Sequence, residues 1–212
     1  MYDLYIFDLD GTLIDSVGDI ADALNEVLRD YGVGPYSDGQ VAKFVGSGIK
    51  ELVRRAIPAE LLPRHEEIVT RYRARYLEWP TRRTTLYLGV KPTLEQLPGE
   101  KAVATNKPGK LARRILEELG IAQHFIAVLG EDDVGRTKPD PLIVDLLRGK
   151  AGAARSRTLY VGDSLVDADT AAAAGVDLAL VTYGYADPEK LRARQARFCF
   201  DRFNQLLTIA SG

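Results

Sequence analysis

The chain predicts a doubly wound α/β core, a parallel sheet with helices on both faces, interrupted near its start by an inserted all-helical cap. Three observations carry that prediction. Residues 4–9 (LYIFDL), 101–106 (KAVATN), 125–130 (FIAVLG), 158–163 (TLYVGD) and 178–182 (LALVT) are short apolar runs of strand length. Such unbroken runs suit strands buried on both faces of a parallel sheet. Helical patterns separate the later runs, which implies right-handed crossovers. From residue 17 to about residue 82 the pattern is helical throughout, with no convincing strand.

Taken in order, Val17, Ile20, Leu24, Val27, Leu28 and Tyr31 share one helical face, ended by Gly32. Ser37 and Gln40 form a capping-box pattern ahead of Val41, Phe44 and Val45. Gly46-Ser47-Gly48 interrupts, then Ile49, Leu52, Val53 and Ala56 resume a helix up to Pro58. A further helix from about residue 62 to 79 uses Ile68, Val69, Tyr72, Tyr76 and Trp79, the aromatics serving as packing. The predicted division is a core of residues 1–15 and 84–212 and a cap of residues 16–83. In the core, Leu111, Ile115 and Leu119 recur at helical spacing between Pro108 and Gly120. A helix after Pro141 draws on Leu142, Val144, Leu146 and Leu147, and another ends at Gly175. RFCFD reads as a final strand with Cys199 buried and inert.

Composition narrows the function classes. The chain has 212 residues, 46% hydrophobic and 27% charged, with a formal net charge of −2. That is ordinary globular composition with no basic bias toward nucleic acid or acidic membranes. A single cysteine excludes an internal disulfide. No basic region followed by a long apolar run opens the chain, and no stretch is long enough to span a bilayer. The expectation is a cytoplasmic monomer or homodimer with no nucleic-acid or membrane partner.

The chemistry collects at the predicted strand ends, where ligands bind in open parallel sheets. The first strand ends in Asp8 and Asp10, the second in Thr105-Asn106, and the fourth in Asp163, followed by Asp167; Lys138 lies in the loop after the third. Clustered carboxylates repel unless something uses them. A hard divalent cation such as Mg²⁺ does, taking one or two carboxylates, several waters and a substrate phosphate. Lys138 and Thr105 then suit phosphate contacts, and the backbone N–H groups of Gly11 and Thr12 are candidates to face the same anion. Asp8 and Asp10 alternate in direction along an extended backbone, so they take different roles. Asp8 is the candidate nucleophile and Asp10 the candidate acid/base. In the cap, Gly46-Ser47-Gly48 and Lys50 are candidates to contact the rest of the substrate. Arg71, Arg73 and Arg75 read as a solvated helix face, and Glu131-Asp132-Asp133 as a helix start.

DLDGTLIDS, Thr105-Asn106, TKPDP and GDSLVDADTAAAAG match, in order and spacing, four motifs of the haloacid dehalogenase superfamily, and the chain resembles its capped phosphatases. The resemblance covers nearly the whole chain. It implies that Asp8 and Asp163 ligate Mg²⁺ through side chains and Asp10 through its carbonyl, with Asp167 supporting them. It implies that Thr105, with the Asn106 backbone, and Lys138 hold the phosphoryl group. Within the superfamily, FVGSGIKELVRRA, YLGVKPTLEQL and ATNKP resemble phosphoglycolate phosphatases, though Leu88 stands where that group usually has proline.

The expected activity is hydrolysis of a small phosphorylated metabolite, 2-phosphoglycolate first. Pyrophosphatase, sugar-phosphate phosphatase and phosphoglucomutase are the neighbouring alternatives. A dehalogenase would lack Asp10. A receiver-like or other phosphate-binding module uses similar groups, but in another order and without a helical cap.

Overall fold

The computed structural model describes residues 1–210. Its strands are β1 (Leu4–Phe7), β2 (Ile14–Asp15), β3 (Thr85–Leu86), β4 (Glu100–Ala104), β5 (Ala127–Leu129), β6 (Thr158–Gly162), β7 (Asp177–Val181) and β8 (Phe198–Phe200). Six of them form a sheet in the order β5-β4-β1-β6-β7-β8, every pairing parallel. β1 is central, with β4 on one side and β6 on the other. The carboxyl ends of these three neighbours therefore stand side by side, which gathers motifs that lie about 150 residues apart in the chain.

The period of two along β1 explains its unbroken apolar run. Leu4 and Ile6 join Ala102, Ala104, Tyr160 and Leu180 in a core on one sheet face. That face is covered by α8 (Leu142–Ala151) and α9 (Leu165–Ala174). Tyr5 and Phe7 join Val103, Leu159 and Val161 on the other face. There they meet α5 (Val90–Gln96), α6 (Gly109–Glu118) and Phe203. In α8 the buried residues are Ile143, Val144 and Leu147, while Leu142 and Leu146 are exposed. Val144 and Leu147 are buried as expected, while Ile143 takes the place expected of Leu142 and Leu146, because a run of consecutive apolar residues leaves the helical phase ambiguous. In β8, Phe200 is buried and Cys199 is exposed, contrary to expectation. Alternation on an edge strand turns Cys199 away from the face that buries Phe200.

The cap helices are α1 (Val17–Arg29), α2 (Asp38–Ala42), α3 (Ile49–Ala56) and α4 (His65–Glu78), all between β2 and β3. Leu24, Leu28, Val41, Val53, Ile68 and Tyr72 fill its interior. Trp79 lies outside that interior: it is exposed and stacks under the guanidinium groups of Arg75 and Arg82. Periodicity marked Trp79 as apolar packing, but its cation–π partners hold it at the surface. The arginines of α4 pair rather than stand free, Arg71 with Asp30 and Arg75 with Glu26 and Glu78. Leu88, the departure from the usual proline, is 95% exposed and distorts nothing in the core.

The chain crosses between core and cap as a two-stranded antiparallel ribbon, with Ile14 opposite Leu86 and Asp15 opposite Thr85. Asp19, buried in the first turn of α1, ties the returning strand to the departing one. Its carboxylate accepts from the N–H groups of Arg83 (3.0 Å) and Thr84 (2.8 Å) and from the Thr84 hydroxyl (2.6 Å). Asp19→Ala leaves those donors without a partner, and urea unfolding should show a loss of about 1–3 kcal/mol. A loss no larger than that of an exposed-site control would mean the clamp carries no stability.

Candidate active site

The loop after β1 is shaped by what it must clear. Gly11 has φ +87°, and a Cβ there would lie 2.3 Å from Asp163 Oδ2. Any side chain would evict the carboxylate, so the glycine that follows Asp10 is required twice over. Thr12 donates its hydroxyl to Asp163 Oδ1 (3.0 Å), and the Tyr185 N–H donates to Oδ2 (2.8 Å). Gly184 is constrained in the same way as Gly11, since a Cβ there would also lie 2.3 Å from Asp163 Oδ2.

The N–H groups of Gly11 and Thr12 are not available to an anion, which corrects the expectation. Gly11 donates to the Ile14 carbonyl (2.9 Å) and Thr12 to the Leu9 carbonyl (3.3 Å). The tight turn into β2 consumes both. Among the described residues, no acceptor takes the N–H of Leu9 or Asp10, and no donor reaches the Asp10 carbonyl oxygen.

Lys138 is the hub of the remaining groups. Its Nζ donates to Asp8 Oδ1 (2.7 Å), Asp167 Oδ1 (2.7 Å) and the Tyr160 hydroxyl (3.0 Å). All four side chains are buried. Burial alone would pull the Lys138 ammonium down, but the charges of Asp167 and Asp8 hold it well above the usual lysine range. Asp167 is fully occupied: its other oxygen accepts from the Ser164 N–H (3.0 Å) and hydroxyl (2.6 Å), closing the N-terminal cap of α9. It therefore both caps a helix and positions Lys138. Asp8 Oδ2 receives no donor from the described residues.

Thr105 is buried, and its Oγ1 accepts from the Lys107 N–H (3.1 Å), leaving the hydroxyl proton to donate. The Asn106 side chain braces the Lys138 backbone, accepting from its N–H (2.7 Å) and donating to its carbonyl (3.3 Å). Asn106 also donates to the Gly46 carbonyl of the cap (3.0 Å). Arg73 pairs with Glu131 of the core (3.0 Å), so it is not a free surface charge. Gly48, at φ +85°, passes so close that a Cβ would lie 2.9 Å from Glu131 Oε2. The cap is thus seated on the core.

Several groups near Asp10 received no role from the sequence, although Ser16 closes DLDGTLIDS and Lys107 lies in ATNKP. Asp10 Oδ1 accepts from the Ser16 hydroxyl and pairs with Lys107 Nζ at 2.8 Å. Lys107 also donates to the Tyr76 hydroxyl of α4 (3.0 Å). The Tyr185 hydroxyl accepts from the Ser16 and Val17 N–H groups (2.8 and 3.0 Å). Lys107 directly follows Thr105-Asn106 and lies within the ATNKP stretch, but the sequence assigned it no role. Of the cap candidates, Gly46 and Gly48 line the small pocket above Asp8 and Asp10. Ser47 is outside that pocket and lines the open clefts beside it, and its hydroxyl accepts from Arg55 (3.2 Å). Lys50 does not line the small pocket; it lines one of the open clefts with Ser47, and its exposed Nζ pairs with Glu66 at 3.0 Å. The turn of α3 that follows Gly48 gives Ile49 to the pocket and Lys50 to a second, open groove between cap and core, which it lines with Glu131 and Arg136.

Asp8, Asp163 and Asp167 each offer an oxygen within 4.8 Å of the others, all buried. Burial, then the charges of Asp167 and Asp8, pushes the Asp163 carboxyl well up from its ordinary value. Burial first, and Asp167 next, lifts Asp8 to about 7 against the pull of Lys138. An all-oxygen set with excess negative charge, a free Asp8 oxygen and a free Asp10 carbonyl fits a hard divalent cation.

Comparison with known proteins places the chain in a family. Residues 5–181 match the family model described as haloacid dehalogenase-like hydrolase. The chain belongs to that family. A phosphoglycolate phosphatase of Cereibacter sphaeroides is 40% identical over 187 residues, 85% of each chain. One from Pectobacterium atrosepticum is 37% identical, covering 96% of this chain and 90% of that one. The crystal structure of a predicted phosphoglycolate phosphatase from Haemophilus somnus superposes with a TM-score of 0.86 at 31% identity, covering 98% of this chain and 97% of that one. CbbY from Rhodobacter sphaeroides shares the fold at a TM-score of 0.82 and 22% identity, each chain fully covered. Among the described residues no helix is long and apolar enough to cross a membrane.

The raised Asp8 carboxyl has a pH consequence. In metal-free protein the native state binds its proton more tightly than the unfolded chain, where an aspartate titrates near 3.9. Its contribution is therefore lost as pH rises from about 4 toward 7. With chelator present, Asp8→Asn should be more stable than wild type at pH 8 by roughly 1–4 kcal/mol, the gap shrinking toward pH 4. Urea titrations at both pH values read this directly; a gap independent of pH contradicts it.

Proposed function

We propose that this hydrolase is a magnesium-dependent phosphomonoester phosphatase that works through an aspartyl-phosphate at Asp8, with 2-phosphoglycolate as its substrate. The observation that carries the reading is the setting of Asp8. One oxygen is held by Lys138 and the other is free, while Thr105, Asp163 and Asp10 follow the ends of the same three adjacent strands. The substrate assignment draws on the relatives named phosphoglycolate phosphatase, 40% and 37% identical over most of both chains.

In the first half-reaction the free Asp8 oxygen attacks phosphorus and the bond from phosphorus to the ester oxygen breaks. Asp10 gives its proton to that departing oxygen, releasing glycolate. In the second, Asp10 takes a proton from water; the water oxygen attacks phosphorus and Asp8 leaves as carboxylate with inorganic phosphate. Lys138 and the Thr105 hydroxyl neutralise and orient the phosphoryl oxygens throughout. Asp167 and Tyr160 keep the Lys138 ammonium in place. Asp8, Asp163 and the Asp10 carbonyl would hold Mg²⁺. When bound, the ion screens these carboxylates from one another and offsets charge on the transferring group. The cap, residues 16–83, closes over the site and excludes bulk water. The lone cysteine fits a cytoplasmic enzyme.

The test is phosphate release from 2-phosphoglycolate, sugar phosphates, nucleotides and pyrophosphate, with Mg²⁺ and with chelator. Wild type should turn over 2-phosphoglycolate best and only with metal. Asp8→Asn should be inactive, and Lys138→Ala should lose roughly 10²–10³-fold in kcat. Preference for another compound would move the substrate; metal-independent turnover would overturn the mechanism.

A further inference from the structure

We propose that Lys107, with Tyr76 of the cap, forms the subsite that binds the carboxylate of the substrate and so selects 2-phosphoglycolate over neutral phosphate esters. This rests on the reading of the site as a 2-phosphoglycolate phosphatase.

The pocket between Asp10 and the seated cap is small, about 40 Å³, and holds Asp8, Asp10 and Thr105 together with Lys107 and Tyr76. Its cap-side walls are mostly apolar, formed by Val45, Ile49 and Leu52, with the Tyr72 phenol beside Tyr76. Among the described residues lining it, Lys107 is the one cation. The core has placed it there: Lys107 is 6% exposed and sits across from Tyr76, its Nζ 4.8 Å from the ring centroid. A lysine held in an apolar pocket is costly unless paired, and its protein partner is Asp10 at 2.8 Å.

That distance fixes what Lys107 can reach. Asp10 must touch the ester oxygen to protonate it. In 2-phosphoglycolate that oxygen is joined to the carboxylate carbon through a single methylene. A group in contact with Asp10 is therefore within reach of the carboxylate when the ester oxygen is seated. The Ser16 hydroxyl also donates to Asp10 Oδ1, so Asp10 stays partnered if Lys107 turns to the substrate. The Tyr76 hydroxyl accepts from Lys107 (3.0 Å), which leaves its proton to donate to a carboxylate oxygen. Burial, and next the charge of Asp10, lifts the Tyr76 phenol well above its usual value, so it remains a donor.

The rival cations lie elsewhere. Lys43, Arg55 and Lys190 line the open cleft, where water weakens their pull. Arg55 is also committed, donating to Glu51 (2.9 Å), the Phe44 carbonyl (3.3 Å) and Ser47 (3.2 Å). Because Tyr76 belongs to the cap and Lys107 to the core, the subsite is complete only with the cap seated. Binding of the carboxylate would then favour closure.

The experiment compares kcat/KM for 2-phosphoglycolate and for 2-hydroxyethyl phosphate, which has a neutral leaving group of the same length. Wild type should prefer the former. In Lys107→Met the ratio should fall roughly 10²-fold, because a charged partner in a closed pocket is lost. In Tyr76→Phe, which removes one oxygen and keeps the packing, it should fall roughly 5–10-fold. Equal losses on both substrates would mean that Lys107 acts only through Asp10, and would overturn the inference. So would a ratio that survives Lys107→Met or Tyr76→Phe, or one that collapses in Arg55→Gln instead. If Lys107→Met does not fold, the Tyr76→Phe ratio decides. A wild type with no preference for 2-phosphoglycolate refutes the substrate reading itself, whereas a preference indifferent to Lys107 and Tyr76 refutes the subsite alone.

Discussion

The contact on which the site depends is the buried ammonium of Lys138 between Asp8 and Asp167. Carboxylates withdrawn from water at one sheet edge repel each other and lose hydration. Lys138 offsets part of that, and removing one partner of such a cluster leaves an uncompensated buried charge. Much of the local backbone serves this arrangement. Asn106 grips the Lys138 main chain from both sides, and Ser164 locks Asp167 through the α9 cap. Gly162 leaves room for Asp167, since a Cβ there would lie 2.4 Å from the aspartate's own Cβ. Gly11 and Gly184 do the same for Asp163. The glycines of the motifs are the space that the carboxylates occupy.

The cluster is still unbalanced without a further cation. Asp8 and Asp163 both carry carboxyls lifted by burial and by Asp167. That is an unstable resting condition for a metal-free fold and a receptive one for a divalent ion followed by a phosphate. Stability and function pull against each other here, as they do at sites where like charges are held together. The cap contributes to the same economy of charge. It brings apolar walls over Asp10 and sets the Tyr76 hydroxyl, with Tyr72 beside it, against a lysine supplied by the core.

The motifs were legible because each is a local necessity. An apolar strand that ends in Asp-x-Asp-Gly-Thr announces buried carboxylates beside a forced left-handed turn. Asp8, Asp10, Thr105, Lys138 and Asp163 could be named, since the parallel order of strands brings their ends together. The role of Lys107 was not legible even though it sits in ATNKP, because a lysine in a loop reads as a solvated charge until its burial against Asp10 is seen. Lys50 shows the limit of reading by neighbourhood. It stands next to the Gly46-Ser47-Gly48 break, but one residue of helical rotation gives Ile49 the pocket above Asp10 and Lys50 the open groove beside it.

The sequence by itself determined the fold class, the cap as an insertion after the first strand, and the chemical character of the strand-end residues. Periodicity and charge clustering are properties of neighbours in the chain, and they survive without coordinates. Tertiary structure decided which donors are already spent and which remain. It consumed the Gly11 and Thr12 amides in a turn, exposed Cys199 on an edge strand, and buried Ile143 of α8 where Leu142 and Leu146 were expected. It also set Lys107 and Tyr76 face to face across the boundary between core and cap. Those outcomes depend on direction and distance between segments far apart in sequence, which composition and spacing do not encode.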